Sequence, residues 1–145
     1  MEPNQMTIAK VNCFAIGAIG WGVLDFLLGG INAGVEALGV LIIADMLTGM
    51  WASYGSWCPS KCRDGLISKV FILAAVAIGH MVDMGTGLSI VKDVMIGGYS
   101  LSEALSICDN ISRAGYGHML PPFVHQALES VAKSKNLNVE DLKHD

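Results

Sequence analysis

The sequence predicts a small, all-α, polytopic membrane protein of about four transmembrane or amphipathic helices that assembles into an oligomer. Hydrophobic residues make up 52% of the 145 residues and charged residues only 15%, against roughly 25% charged in an average soluble domain. The mean hydropathy is +0.51. The apolar residues also form four consecutive segments, each near the roughly 17–25 residues that a helix needs to cross a bilayer.

The four segments are joined by short linkers and cover residues 11–31, 35–54, 66–82 and 88–107. We divide the chain into a helical membrane domain, residues 1–113, and an amphipathic, charged cytoplasmic tail, residues 114–145. The first apolar run is too long for the core of a signal peptide, so we expect it to be retained. The alternative is a soluble all-α bundle with glycine-rich buried helices.

The second segment contains a carboxylate in an otherwise apolar run, GVLIIADMLTGMWASYG. Asp45, Thr48 and Gly49 share one helix face because they lie at i, i+3 and i+4. A charged aspartate at mid-span costs about 3 kcal/mol, so Asp45 should face protein or water rather than lipid. This face is either a helix-packing site or a polar group facing a lumen or another subunit. Ala75 and Gly79 in the third segment form a small-residue pair suited to a close helix crossing or an oligomer contact.

Basic residues alternate between the linkers as four spans would require. The predicted basic loop, residues 55–69, overlaps the start of the third segment and carries Lys61, Arg63 and Lys69. The N-terminus and the tail also contain Lys residues. The first and third linkers contain no Lys or Arg, and Lys92 alone departs from the pattern. The distribution predicts a multi-pass protein with both termini in the cytoplasm. Three spans, with the first segment re-entrant or interfacial, remain the alternative.

The fourth segment predicts an amphipathic helix with one polar and one apolar side. Residues of the polar side and its border are Lys92, Asp93, Tyr99, Glu103, Ser106 and Asn110. Such a helix lies in the membrane interface, lines water, or pairs its charges with neighbouring helices. Several copies together would wall a hydrophilic hole, so these six residues are the predicted pore-lining set.

The sequence offers no constellation for catalysis, and we expect no enzyme. The motif CPSKC is a single C-x-x-x-C, whereas zinc takes four ligands, commonly from two such pairs. We therefore expect no metal and no cofactor. The net charge of −4 provides no basic surface for a nucleic acid. The expected partners are the lipid bilayer and further copies of this chain.

An ordered set of motifs runs through roughly residues 35–132. It comprises Asp45-x-x-Thr48-Gly49, then Gly65, Leu66 and Lys69, and finally Ser106, Asp109, Asn110, Gly117 and Pro121. This order resembles the phage holin family that includes the clostridial toxin-secretion holins. Asp109–Asn110 stands where that family usually has Glu-Asn. The resemblance implies a bacterial inner-membrane protein that oligomerises and opens a lesion, through which endolysin or a toxin crosses to the cell wall.

Other functions fit the same sequence. Related proteins act as antiholins. A small proton- or cation-coupled transporter could use Asp45 and Asp83 as its titrating groups, and a membrane scaffold without a pore would need only the helix-packing residues.

Overall fold

The computed structural model describes residues 3–54 and 59–141, and the regular structure within them is helical. The α-helices are α1 (Pro3–Leu27), α2 (Ala33–Ala52), α3 (Pro59–Thr86), α4 (Val91–Ile111) and α5 (Pro122–Asp141). A π-helical turn, Ser112–Tyr116, and a 3-10 turn, Gly117–Met119, join α4 to α5. The predicted all-α fold is confirmed.

Three helices contain stretches that are long and apolar enough to cross a membrane. These stretches are Lys10–Leu27, Ala33–Ala52 and Arg63–Thr86, which supports the polytopic prediction. The fourth predicted segment forms α4, whose composition does not place it in this group. The number of membrane passes therefore stays a prediction.

Helix α4 is the central helix of the packed body. It packs along both α2 and α3, whereas α2 and α3 contact each other only sparsely. Helices α2 and α4 run parallel, because residues near their N-terminal ends meet (Gly34 and Ile96) and residues near their C-terminal ends meet (Gly49 and Asn110). Helix α3, which connects α2 to α4 in the chain, packs on the other side of α4 and runs in the opposite direction. The least apolar of the four segments thus occupies the most enclosed position.

The buried side chains recur at seven-residue intervals, as expected for helices packed nearly parallel or antiparallel. In α3 the buried series is Lys69, Val76 and Asp83, and in α4 it is Ile96, Glu103 and Asn110. In α2 it is Val35, Leu38, Ile42 and Asp45. The polar members Asp45, Lys69, Glu103 and Asn110 lie towards one end of the body and Asp83 lies towards the other. The apolar members, such as Val76 and Leu38, lie between them. The body therefore has an apolar middle layer with a polar layer towards each end.

The turn between α1 and α2 is anchored to the other helices. The Lys92 ammonium donates to the carbonyl oxygens of Leu28 at 3.2 Å and Gly29 at 3.1 Å. A cation at a helix C-terminus satisfies carbonyls that have no partner within the helix. The described side chains of α1 from Thr7 onward, apart from half-buried Asp25, are exposed, so the C-terminal end of α1 is its attachment to the body.

Asp83, near the end of α3, caps the N-terminus of α4. Its carboxylate accepts the backbone N–H groups of Val91 at 3.0 Å and Lys92 at 2.9 Å. A carboxylate is stabilised there by the unpaired amides and the positive end of the helix dipole. The contact fixes the angle between α3 and α4 and leaves the α4 polar side facing inward.

Gly29 has a specific steric role that Gly30 lacks. Both have positive φ, +68° and +83°, but a Cβ on Gly29 would lie 2.3 Å from Nδ1 of His80, whereas a Cβ on Gly30 would meet nothing within 4 Å. Gly30→Ala should lower the free energy of unfolding by about 1–2 kcal/mol, the cost of a left-handed alanine. Gly29→Ala should lower the free energy of unfolding by a further 1–3 kcal/mol, roughly, because its methyl group would also overpack against the His80 ring.

Unfolding in detergent micelles measures both variants, with Gly30→Ala as the matched control. The double variant Gly29→Ala/His80→Ala should recover most of the additional loss, because the ring that obstructs the methyl group is gone. Equal losses in the two single variants would contradict the assigned contact between Gly29 and His80.

Candidate functional site

The Lys69 ammonium lies between two carboxylates from two other helices. Its Nζ is 2.6 Å from Oδ2 of Asp45 and also forms an ion pair with Oε2 of Glu103. Lys69 and Asp45 are each 9% exposed and Glu103 is 3% exposed. Because the three residues belong to α3, α2 and α4, one ammonium connects all three helices of the body.

Asn110 extends this arrangement towards the C-terminal end of α4. Its side-chain amide donates to Oδ1 of Asp45 at 3.0 Å, to the Asp45 carbonyl oxygen at 3.3 Å and to Oγ1 of Thr48 at 3.2 Å. The Thr48 hydroxyl in turn donates to the carbonyl of Ala44 at 2.9 Å. We call Asp45, Thr48, Lys69, Glu103 and Asn110 the polar cluster.

Glycines lie where α4 approaches its neighbouring helices closely, one beside the polar cluster and one at the other end of the body. A Cβ on Gly49 would lie 3.4 Å from the Asn110 amide nitrogen. At the other end of the body, a Cβ on Gly79 would lie 3.2 Å from Cα of Lys92 and 3.2 Å from Cγ of Met95. A Cβ on Gly49 would be in ordinary van der Waals contact, whereas a side chain at Gly79 would press on the backbone of α4, as expected where a small residue sets the distance between packed helices.

The polar cluster contains two carboxylates and one ammonium. Arg113 adds a second cation at its edge, where it donates to Oδ1 of Asn110 and pairs with Asp109 at 3.1 Å. Removing such charges from water is costly, and close pairing with full hydrogen bonding offsets that cost. Across the described residues, no buried side-chain polar atom is left without a hydrogen-bond partner.

The arrangement connects the three helices through charged and hydrogen-bonded side chains. Asp45 and Glu103 are paired with an ammonium. Within residues 3–54 and 59–141, no group of three or more His, Cys, Asp or Glu side chains is placed to bind a metal ion. What the cluster does chemically is pair charged and polar groups that are buried between the three helices.

The exposed charges of the body lie near its two ends. On α4 no exposed charge lies between Asp93 and Asp109, and on α3 none lies between Asp64 and Thr86. On α2 none follows Glu36. The separation of Asp93 and Asp109 along the helix is about 24 Å at 1.5 Å per residue, compared with a hydrocarbon core of about 30 Å. The outward surface between these levels is an uncharged band, and the polar cluster lies behind it.

Residues 22–133 match the sequence profile of the bacteriophage holin family. This chain belongs to the bacteriophage holin family. The matched region contains α2, α3, α4 and the whole polar cluster. Of α1, only residues 22–27 lie within the matched region.

Two curated relatives come from Listeria. An uncharacterized protein of Listeria innocua is 33% identical over 134 residues, which cover 90% of this chain and 93% of the relative. An uncharacterized protein of Listeria monocytogenes is 32% identical over 133 residues, which cover 89% and 92% respectively. No solved structure matches the chain.

The polar cluster contains residues from each of the three sets predicted from the sequence: the helix-packing residues, the pore-lining residues and the basic loop. Asp45, Thr48 and Gly49 meet Asn110 across the α2–α4 contact, and Glu103 is connected to Asp45 through the Lys69 ammonium. Lys69 joins them, although the sequence predicts it in a basic loop, because α3 begins at Pro59 and contains the residue.

Other predicted site residues lie elsewhere. Gly79 and Lys92 meet at the opposite end of the body, and Ala75 and Tyr99 are half-buried near its apolar middle. Ser106 is half-buried, whereas Asp93 is exposed. Arg63 is exposed within α3 and pairs with its neighbour Asp64 at 3.2 Å. Lys61 also lies in α3, and its side chain is outside the described residues.

Sequence reasoning missed two interactions, the Lys69 ion pairs and the Asp83 cap. For Lys69 a signal existed: its spacing of seven residues from Val76 and fourteen from Asp83 places it on the inward face of α3. The partners of Asp83 are backbone amides in a different helix, and no side-chain pattern identifies them.

Replacing Lys69 alone should strongly destabilise the fold. Lys69→Met leaves two buried carboxylates without their cation, and breaking a buried ion pair in this way costs about 3–5 kcal/mol. Arg63→Met, in the same helix, removes an exposed pair with Asp64 and should cost about 1 kcal/mol or less. Unfolding in detergent micelles compares the two variants.

The triple variant Asp45→Asn/Lys69→Met/Glu103→Gln tests the reason for the loss. It removes all three charges together, so it should be more stable than Lys69→Met. If the triple variant were the least stable, uncompensated charge would not explain the effect of Lys69→Met.

Proposed function

We propose that this chain is a holin that oligomerises in the bacterial inner membrane and opens a hole through which endolysin or a toxin reaches the cell wall. Family membership and three helices of membrane-spanning length support a membrane-permeabilising role. The observation that carries the proposal is the orientation of α4. Its polar residues Glu103 and Asn110 are bonded inside the body, while Val94 and Leu101 face outward.

We further propose that α4 is a fourth span. By its own composition the helix is too polar to be a candidate span. However, Glu103 and Asn110 are bonded to α3 and α2, and the exposed charges Asp93 and Asp109 lie near its two ends. Val94, Gly97, Gly98, Leu101 and Ser102 are the residues of the uncharged band that α4 exposes. This surface carries no charge into lipid, so α4 can lie beside α2 and α3 in the bilayer.

The proposed orientation places both termini in the cytoplasm. The end of the body near Arg63 and Arg113 has exposed basic side chains, whereas the exposed charges at the other end are acidic, Glu36 and Asp93. The positive-inside rule assigns the basic end to the cytoplasm. We propose residues 1–113 as the membrane domain and 114–145 as the cytoplasmic tail, which contains α5.

Formation of the hole would reverse the environment of the α4 polar side. In the single chain this side is bonded to α2 and α3, so it cannot line water until those contacts separate. We propose that assembly replaces the contacts of Glu103, Ser106 and Asn110 with water in a lumen, while Asp45 and Thr48 take part in helix or subunit contacts. The polar cluster then stabilises the closed form.

The first test is inducible expression in a bacterium, with and without a co-expressed endolysin that lacks its own export signal. A holin should cause abrupt growth arrest and collapse of membrane potential, and lysis only with endolysin. Continued growth with the protein in the membrane would contradict the holin proposal and favour an antiholin or a scaffold. Saturable ion flux without release of large dyes would favour a transporter.

Cysteine accessibility tests the proposed lumen. In a chain with Cys13, Cys58, Cys62 and Cys108 replaced by serine, Ser106→Cys should react with a membrane-impermeant thiol reagent only after growth arrest. Leu101→Cys, on the outward side of the same helix, is the control and should stay unreactive because lipid covers it. Equal reactivity of both positions after arrest, or of neither, would contradict a lumen lined by the α4 polar side.

A further inference from the structure

Exposed tryptophan and tyrosine side chains, with two further large apolar residues, lie together at the basic end of the body. Trp51 and Tyr54 lie at the end of α2, and Tyr116, Met119 and Phe123 lie in the turn after α4 and at the start of α5. We call these five residues the interfacial patch. Tyr54 is 92% exposed and Phe123 is 71% exposed, so neither is part of the packed core.

Contacts of the described residues hold the patch together. The rings of Trp51 and Tyr116 are stacked at a tilt, with centroids 5.3 Å apart. The backbone N–H of Tyr54 donates to the Trp51 carbonyl at 3.0 Å. The end of α2 and the turn after α4 are thus adjacent, although 65 residues separate Trp51 from Tyr116 in the sequence.

The turn that carries Tyr116 and Met119 is tightly folded. Gly115 adopts a φ of +93°, and a Cβ on Gly117 would lie 2.8 Å from Oγ of Ser112. The His125 ring contacts the Gly117 carbonyl with its Nε2 at 3.1 Å, which ties the start of α5 to the turn. Val124 is buried, so its neighbour Phe123 is held at the surface by a docked residue.

The patch lies where the uncharged band ends. The exposed pairs Arg63–Asp64 and Asp109–Arg113 occur at the same end of the body. Trp and Tyr concentrate at membrane–water boundaries because each has an apolar ring and one polar group that needs water. Their position between lipid-facing apolar surface and exposed ion pairs is the one at which such side chains are most stable.

We propose that the interfacial patch inserts into the headgroup region of the bilayer and holds the turn after α4 and the first turn of α5 at the membrane surface. Its partner is a lipid surface, because the patch continues the lipid-facing band. The start of the tail is therefore anchored, rather than extending freely into the cytoplasm. This proposal rests on membrane embedding alone and does not require a hole.

The test uses the full chain in phosphatidylethanolamine/phosphatidylglycerol vesicles, with the native cysteines replaced by serine. An environment-sensitive fluorophore is attached at Phe123→Cys and, as the matched control, at Glu129→Cys, which is exposed further along α5. At position 123 the emission maximum should shift to shorter wavelength, and lipids with a nitroxide near the headgroup should cause a loss of emission. At position 129 both effects should be absent.

Two outcomes would overturn the proposal. If the fluorophores at 123 and 129 behave alike, the start of α5 is not held at the bilayer. A shift at 123 without loss on nitroxide lipids would mean that protein, such as a second copy of this chain, covers the patch.

Intrinsic fluorescence provides a second measurement that keeps the native cysteines. In Trp21→Phe/Trp57→Phe, Trp51 is the remaining tryptophan, and lipids brominated at shallow acyl positions should quench it more strongly than lipids brominated deep in the chains. Stronger quenching by the deep bromines would place Trp51 in the hydrocarbon core and contradict an interfacial position.

Growth arrest on expression is measured separately from these fluorescence signals. Failure of the holin proposal and failure of the interfacial-patch proposal are therefore distinguishable.

Discussion

The ion pairs of Lys69 are the interaction on which the arrangement of the three central helices depends. Asp45 and Glu103 belong to α2 and α4, which pack side by side, and their carboxylates need a cation once both helices are buried. Lys69 on α3 provides it. Because a buried carboxylate without a partner is much more costly than an imperfect apolar contact, the pairing also sets how the helices are rotated about their axes.

The same constraint explains why the most polar of the four segments occupies the centre. Helix α4 contacts α2 and α3 with its polar side and leaves Val94 and Leu101 outward. Its N-terminus is capped by Asp83, and Lys92 binds two carbonyls of the turn that follows α1. The polar groups of α4 are thus bonded at both ends and in the middle. If α4 is the fourth span proposed above, this pairing lets an amphipathic helix lie in the bilayer with only its uncharged side towards lipid.

For a holin, such a structure would combine stability in the membrane with the capacity to change. The side chains suited to line water are already on one helix, and neighbouring helices hold them. The energetic barrier to opening would then include separation of the Lys69 ion pairs, which is favourable only if water or another subunit replaces them. The interfacial patch lies outside these contacts, so under the two proposals the start of the tail would stay at the membrane surface while the helices rearrange.

The sequence by itself determined the helical class, the membrane location and the family. The reason is that hydrophobic segment length and the spacing of Asp45, Thr48 and Gly49 are properties of one helix at a time. It also identified the polar side of α4. The partners of that side are tertiary: Lys69 belongs to a different helix 34 residues from Glu103, and Asp83 binds backbone amides that have no side-chain signature. Helical periodicity determines which residues share a face, but only the packing of three helices determines whether that face meets water, lipid or an opposite charge.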